Sequence, residues 1–226
     1  MEKVILHHLG LGDHIICNGL VRTLIQEENI TLHYPVKFHN YENVDSMFAD
    51  CSAIKLVPVS DDQQMLEYSN NFHEYQKIKL GVFSPDWQKQ KGSFCEKFYN
   101  QATVPYENRW QKFVVPSTNS SIMKQYSQEK CFVHHDPSRV LNIKSKYLTS
   151  SCYSPNHKLG DTNSYNIFDY LEILKCVNEI HCIDSSFACM IDHIPELRSK
   201  RKFIHRYVRK QNENPIYKNN WSVLYE

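Results

Sequence analysis

Residues 3–8 form an apolar, strand-like run that passes directly into Gly10-Leu11-Gly12-Asp13-His14 and then into an apolar-periodic segment, residues 15–24. A strand that runs straight into a helix is the opening of an α/β unit. At that junction the helix start offers unpaired backbone N–H groups and partial positive charge to any anion above it. Gly10 and Gly12 let the backbone turn tightly and leave the space over the helix uncovered. Asp13 is the acid at the mouth of this turn, a candidate general base. A plain helix cap accounts for the same aspartate.

The alternation continues. Strands are expected at 31–36, 54–58 and 77–83, with helices at 43–50, from Asp61-Asp62 through Tyr68, and at 93–102. Between Thr103 and Ser121 the pattern gives way to prolines, Asn108-Arg109-Trp110 and a serine-rich run, which reads as a connection. Domains of residues 1–115 and 116–226 follow from that break. The second half restarts with a helix at 122–127 and a strong strand at 130–134, then weaker strands at 140–143 and 151–154. A helix at 167–178, a strand at 179–183, a helix at 185–193 and a last strand at 203–208 complete it, with a polar, aromatic tail behind. The expected fold is α/β: two small Rossmann-like domains facing each other across a cleft.

Bulk properties narrow the function. A formal charge of +1 over 226 residues supplies no global field for nucleic acid or anionic membrane. The basic cluster from Arg198 to Lys210, with Phe203 and Tyr207 between, is the one feature that favours nucleic acid, and a solvated strand explains it equally well. No window is long and apolar enough to span a bilayer, and the first residues lack a signal-peptide pattern, so a cytoplasmic protein is expected. The eight cysteines include no C-x-x-C pair and read mainly as small buried apolar residues.

Beyond the glycine turn, two more loops follow strands, where ligands bind in open α/β sheets. One is His134-His135-Asp136-Pro137-Ser138-Arg139, in which Arg139 can meet a diphosphate in bidentate fashion. A surface turn is its bland reading. Metal ligation by the paired histidines is disfavoured, because neighbours on a strand point to opposite faces. The other is Asp184-Ser185-Ser186 at a helix start, where hydroxyls and exposed N–H groups suit a phosphate or a ribose. N-capping by Ser185 accounts for the same residues.

Taken together, these loops resemble those of GT-B-type glycosyltransferases. Gly10-Leu11-Gly12-Asp13 is similar to the N-terminal loop of the heptosyltransferase-like branch, and Asp184-Ser185-Ser186 to its turn beside the donor phosphates. The run from Phe168-Asp169-Tyr170-Leu171 to Asp192 resembles short sugar transferases of bacteria and large DNA viruses. The resemblance implies metal-independent transfer from a nucleoside diphosphate sugar to a hydroxyl of a glycan acceptor, with no further cofactor. Asp13 would act as base, with His14 as a substitute; Gly10, Gly12, His135, Asp136, Ser138, Arg139, Asp184, Ser185 and Ser186 would hold the donor. At 226 residues this is a minimal version of such an enzyme, and no Asp-x-Asp metal motif is present. The main alternative is a binding module of the same fold without turnover. An NAD-dependent oxidoreductase is disfavoured because Ile15 stands where the dinucleotide fingerprint requires its third glycine.

Overall fold

All named strand pairs are parallel, so no two neighbouring strands can be joined by a tight hairpin. The computed structural model describes residues 1–117, 129–136, 140–148, 151–155, 166–209 and 215–226. The chain divides into two units, Met1–Pro116 and Ser117–Glu226, each built on its own sheet.

In the first unit, β1 (Glu2–Leu6), β2 (Thr31–Lys37), β3 (Ile54–Val59) and β4 (Lys77–Lys79) are ordered β3-β2-β1-β4. Helices α1 (Leu11–Glu28), α2 (Tyr41–Phe48) and α3 (Asp62–Ser69) lie between them in the chain. Succession runs outward from β1 to β3, then returns to place β4 on the other side of β1. That reversal puts the topological switch point at the end of β1, where the glycine turn sits. The strand expected to reach residue 83 stops at Lys79, because Gly81 turns into the left-handed region with a φ of 61°.

Burial explains why α1 is the pillar of this unit. Ile15, Ile16, Cys17, Leu20 and Val21 are all inaccessible or nearly so. The residues expected to be a loose connection pack against it instead. Helix α4 (Phe94–Gln101) opens on a Ser93/Glu96 capping box and sends the Tyr99 hydroxyl to the Ile16 carbonyl at 2.8 Å. A short helix α5 (Asn108–Gln111) then lies on α1, with Asn108 Nδ2 donating to Thr23 Oγ at 3.1 Å. Their closest approach is at Gly19, where an added Cβ would meet the Asn108 carbonyl oxygen at 2.0 Å.

The second unit orders its strands β6-β5-β7-β8-β9: β5 (Cys131–His134), β6 (Cys152–Tyr153), β7 (Glu179–Cys182), β8 (Arg201–His205) and β9 (Trp221–Leu224). Here the order reverses between β5 and β7. The helix expected over 167–178 is a 3-10 turn, Ile167–Tyr170, followed by α6 (Leu171–Cys176), and α7 (Ser186–His193) follows β7. The strand expected at 140–143 is absent: Val140 takes a left-handed φ of 57°, and only an Asp136–Leu141 bridge forms there. The polar tail instead supplies β9. Buried Asp192 ties it down, accepting from the amides of Lys218 and Asn219 and from Trp221 Nε1, each at 3.0 Å. The helix expected at 122–127 lies outside the described residues.

Cysteine usage is corrected in part. Cys131 and Cys152 are register partners on β5 and β6, with Cα atoms 4.5 Å apart, and form a disulfide. Cys17, Cys95, Cys182 and Cys189 lie outside that disulfide and are buried, as small apolar residues. Among the described residues no helix is long and apolar enough to cross a membrane.

The α1–α5 contact yields a direct test. Gly19→Ala forces a methyl group into backbone rather than into a yielding side chain, at a cost of about 1–3 kcal/mol. Thermal unfolding should move down by several degrees, and an unchanged midpoint would show that α5 does not rest on α1 as described.

Candidate functional site

The first switch point is built by backbone alone. Gly10 is the N-cap of α1, without a side-chain cap, and its carbonyl accepts from the amides of Asp13 at 3.0 Å and His14 at 3.1 Å. Asp13 is therefore the third residue of α1 and not its cap. Its carboxylate folds back over Gly10, where an added Cβ would lie 2.7 Å from Asp13 Oδ2. Glycine at 10 is thus what allows the acid to occupy this half-buried place on the helix start. The field of that acid reaches inward: after burial itself, Asp13 is among the charges that raise the Cys17 thiol and the Tyr34 phenol well above their usual values.

Beneath the turn, His7, His14 and Tyr34 are fully buried and pack ring on ring. His7 stacks on Tyr34 at 4.8 Å, and His14 meets both edge-on at 4.7 and 5.1 Å. Among the described residues neither imidazole makes a hydrogen bond of ordinary geometry through its ring nitrogens. Burial lowers His7 to about 3, and burial, then His7, then Lys37 hold His14 well below the ordinary histidine range. His14, expected as a substitute base, is corrected to a neutral core residue, because a fully enclosed ring cannot meet an acceptor hydroxyl. His8 is the histidine at the opening. It is half-buried among Phe83, Trp87, Phe94 and Phe98, with ring centroids 5.4–6.2 Å away, and its Nε2 accepts from the Val82 amide at 3.3 Å. Its place two residues beyond β1 is the sequence signal that marks it.

At the second switch point the ends of β5 and β7 are bridged: Ser185 Oγ lies 3.1 Å from His134 Nδ1. Ser185 is the N-cap of α7, and Ser186, half-exposed, is the first helical residue. His135 is turned inward, its Nδ1 accepting from the Ile143 amide at 3.0 Å, and burial lowers its pKa. Asp136 bonds Leu141 backbone to backbone in both directions at 2.9 Å. Ser138 and Arg139 lie outside the described residues.

Asp184 departs from expectation. It is 1% exposed; its Oδ1 accepts from the Tyr217 hydroxyl at 3.1 Å, and its Oδ2 stands 3.5 Å from Arg206 Nε, an ion contact without hydrogen-bond geometry. Arg209 donates to its carbonyl at 2.9 Å. Burial raises the carboxyl, with Arg206 the largest opposing influence. Its carboxylate joins the end of β7 to the tail and to the segment after β8. Members of the basic cluster are placed at this end of the sheet: Arg206, Tyr207 and Arg209 stand just past the end of β8, and the Lys144 ammonium lies 4.8 Å over the Tyr207 ring. Among the described residues no group of three or more histidine, cysteine or acidic side chains is placed to hold a metal.

No family model matches the sequence, and no curated protein matches it. Two solved structures of the E. coli heptosyltransferase WaaC are similar to this chain. The one with ADP shows 12% identity and a TM-score of 0.49 over 99% of this chain and 90% of that one. The one with ADP-2-deoxy-2-fluoro heptose shows 9% identity and a TM-score of 0.46 over 99% and 92%.

The buried histidines make stability depend on acid. Unfolded histidine takes up a proton near 6.5, whereas His7 does so only at about 3 and His205 at about 4 in the folded chain. Their contribution is complete above about pH 6.5 and is lost as pH falls toward those folded values, at about 1.4 kcal/mol per pH unit for each group. Urea midpoints should therefore drop between pH 7 and 5.5, above the carboxylate range, and His7→Phe should flatten that slope. Equal midpoints across this window would contradict the burial of neutral rings.

Proposed function

We propose that this protein is a glycosyltransferase that moves a sugar from a nucleoside diphosphate sugar to a hydroxyl of a glycan acceptor, without a metal. One observation carries the reading. The loops whose residues suit this chemistry lie at the switch points of two separate parallel sheets, the glycine-acid turn in one and the Ser185-Ser186 helix start beside His134 in the other.

Asp13 removes the proton from the acceptor hydroxyl as its oxygen attacks the anomeric carbon. Negative charge then gathers on the departing diphosphate. The N–H groups at the start of α7, the Ser185 and Ser186 hydroxyls, Arg139, Arg209 and Lys144 supply the donors and positive charge that such a leaving group requires. The exposed side of the β1–α1 turn, opened by Gly10 and Gly12, leaves room for the acceptor.

Incubation with UDP, GDP, dTDP and CMP sugars, with release of nucleotide as readout, separates a transferase from a module that binds without turnover. With the productive donor, Asp13→Asn should cut transfer by about 10²–10⁴-fold, the range for loss of a general base, while nucleotide affinity stays nearly constant. Arg139→Ala should instead weaken nucleotide binding about tenfold or more by calorimetry. A fully active Asn variant removes Asp13 as the base, and unchanged affinity removes Arg139 from the donor site.

A further inference from the structure

A line of hydrogen-bonded side chains crosses the sheet of the second unit. Glu179 opens β7 and His181 follows on the same face; His205 ends β8 and Tyr207 lies just beyond. His181 Nε2 is 2.6 Å from Glu179 Oε1, and His181 Nδ1 is 2.8 Å from His205 Nε2. His205 Nδ1 is 3.0 Å from the Tyr207 hydroxyl, which accepts from the Lys144 amide at 3.1 Å. With both rings neutral, one end fixes every proton. A carboxylate only accepts, so His181 donates from Nε2 and accepts at Nδ1; His205 then donates from Nε2, and Tyr207 donates inward to His205 Nδ1. Burial keeps both rings neutral, bringing His205 to about 4 and lowering His181 against the pull of Glu179.

One added proton reverses this order without leaving any group unpaired. A proton placed on Tyr207 Oη sends the phenol's own proton to His205 Nδ1, and the His205 Nε2 proton passes to His181 Nδ1. His181 becomes an imidazolium held by Glu179, and Tyr207 now donates outward. The surroundings decide when this is favourable. Around His181 stand Glu179, Arg201 (3.0 Å from the other Glu179 oxygen) and the stacked Phe203. His205 faces His135 and the edge of Tyr147, and the Tyr207 phenol lies beside Lys144, Lys146 and Tyr147. The outer end of the chain is therefore cationic and sits past the end of β8, on the edge that carries the start of α7.

We propose that an oxyanion bound at this edge draws one proton from solvent through Tyr207 onto His181, reverses the His181–His205–Tyr207 hydrogen bonds, and takes the Tyr207 hydroxyl as an outward donor. The proposal rests on a diphosphate binding beside α7, as in the function proposed above. It makes Tyr207 a ligand contact, and His181, His205 and Glu179 positioning residues that act through it.

Histidine ring nitrogens report the proton directly. In uniformly ¹⁵N-labelled protein at pH 7, saturating inorganic pyrophosphate should convert His181 to imidazolium while His205 stays neutral with its proton moved to Nδ1. Tyr207→Phe, which removes one half-buried hydroxyl, should bind pyrophosphate about tenfold more weakly, as for loss of one charge-assisted hydrogen bond, and leave His181 neutral. If amide signals at the start of α7 shift while both histidines of the wild-type protein stay unchanged, the coupling is overturned and diphosphate binding stands. If pyrophosphate shifts no signal at α7 or Tyr207, both readings are overturned.

Discussion

Parallel pairing governs this molecule, because a strand that must pair in parallel with its neighbour has to be returned to the starting edge by a crossover. Every such crossover leaves from the same edge of the sheet, and there the helix starts and their exposed amides collect. Where the strand order reverses, neighbouring crossovers diverge and leave a crevice. The orders β3-β2-β1-β4 and β6-β5-β7-β8-β9 set those reversals at β1 and between β5 and β7. Asp13, His134, Ser185 and Ser186 stand where they do for that reason. Their chemistry follows from topology first and residue type second.

The two units handle buried polarity differently. In the first, His7, His14 and Tyr34 are enclosed with ring nitrogens and a phenol that find no hydrogen-bond partner among the described residues, at a cost of about 1–3 kcal/mol for each unmade hydrogen bond. Stacking and edge contacts offset part of that, and neutrality at ordinary pH limits it. In the second, several buried polar groups are joined. Lys202 donates to the carbonyls of Leu197, Arg198 and Lys200 at 2.6–3.2 Å, closing the turn before β8, and Asp192 fixes the tail. The Glu179–Tyr207 chain belongs to this second pattern. A satisfied network is specific about where each proton lies, which lets it respond to a ligand at one end.

What the sequence revealed was local. The β1–α1 turn was legible because an apolar run, two glycines and a helical period meet within a few residues, and α4 because Phe94, Cys95, Phe98 and Tyr99 recur at helical spacing. What escaped depended on partners far along the chain. Helix α5 has four residues and exists because Gly19, some ninety residues earlier, leaves room for its backbone. Strand β9 has four residues at the end of a polar tail and is held by Asp192. Asp184 matched a donor-site turn, yet Arg206 and Tyr217 enclose its carboxylate, and neither is marked by spacing. The Cys131–Cys152 bond needed the register of β5 with β6. His14 is turned into the core by the helix that carries it, whereas His8 stands in the turn before that helix.

Backbone amide hydrogen exchange, with and without a saturating nucleotide sugar, tests most directly whether the C-terminal strand edges form the working face. The account predicts new protection confined to the starts of α1 and α7 and to the segment after β8. Protection at the opposite ends of the strands, or none at any helix start with a donor known to bind, would contradict it.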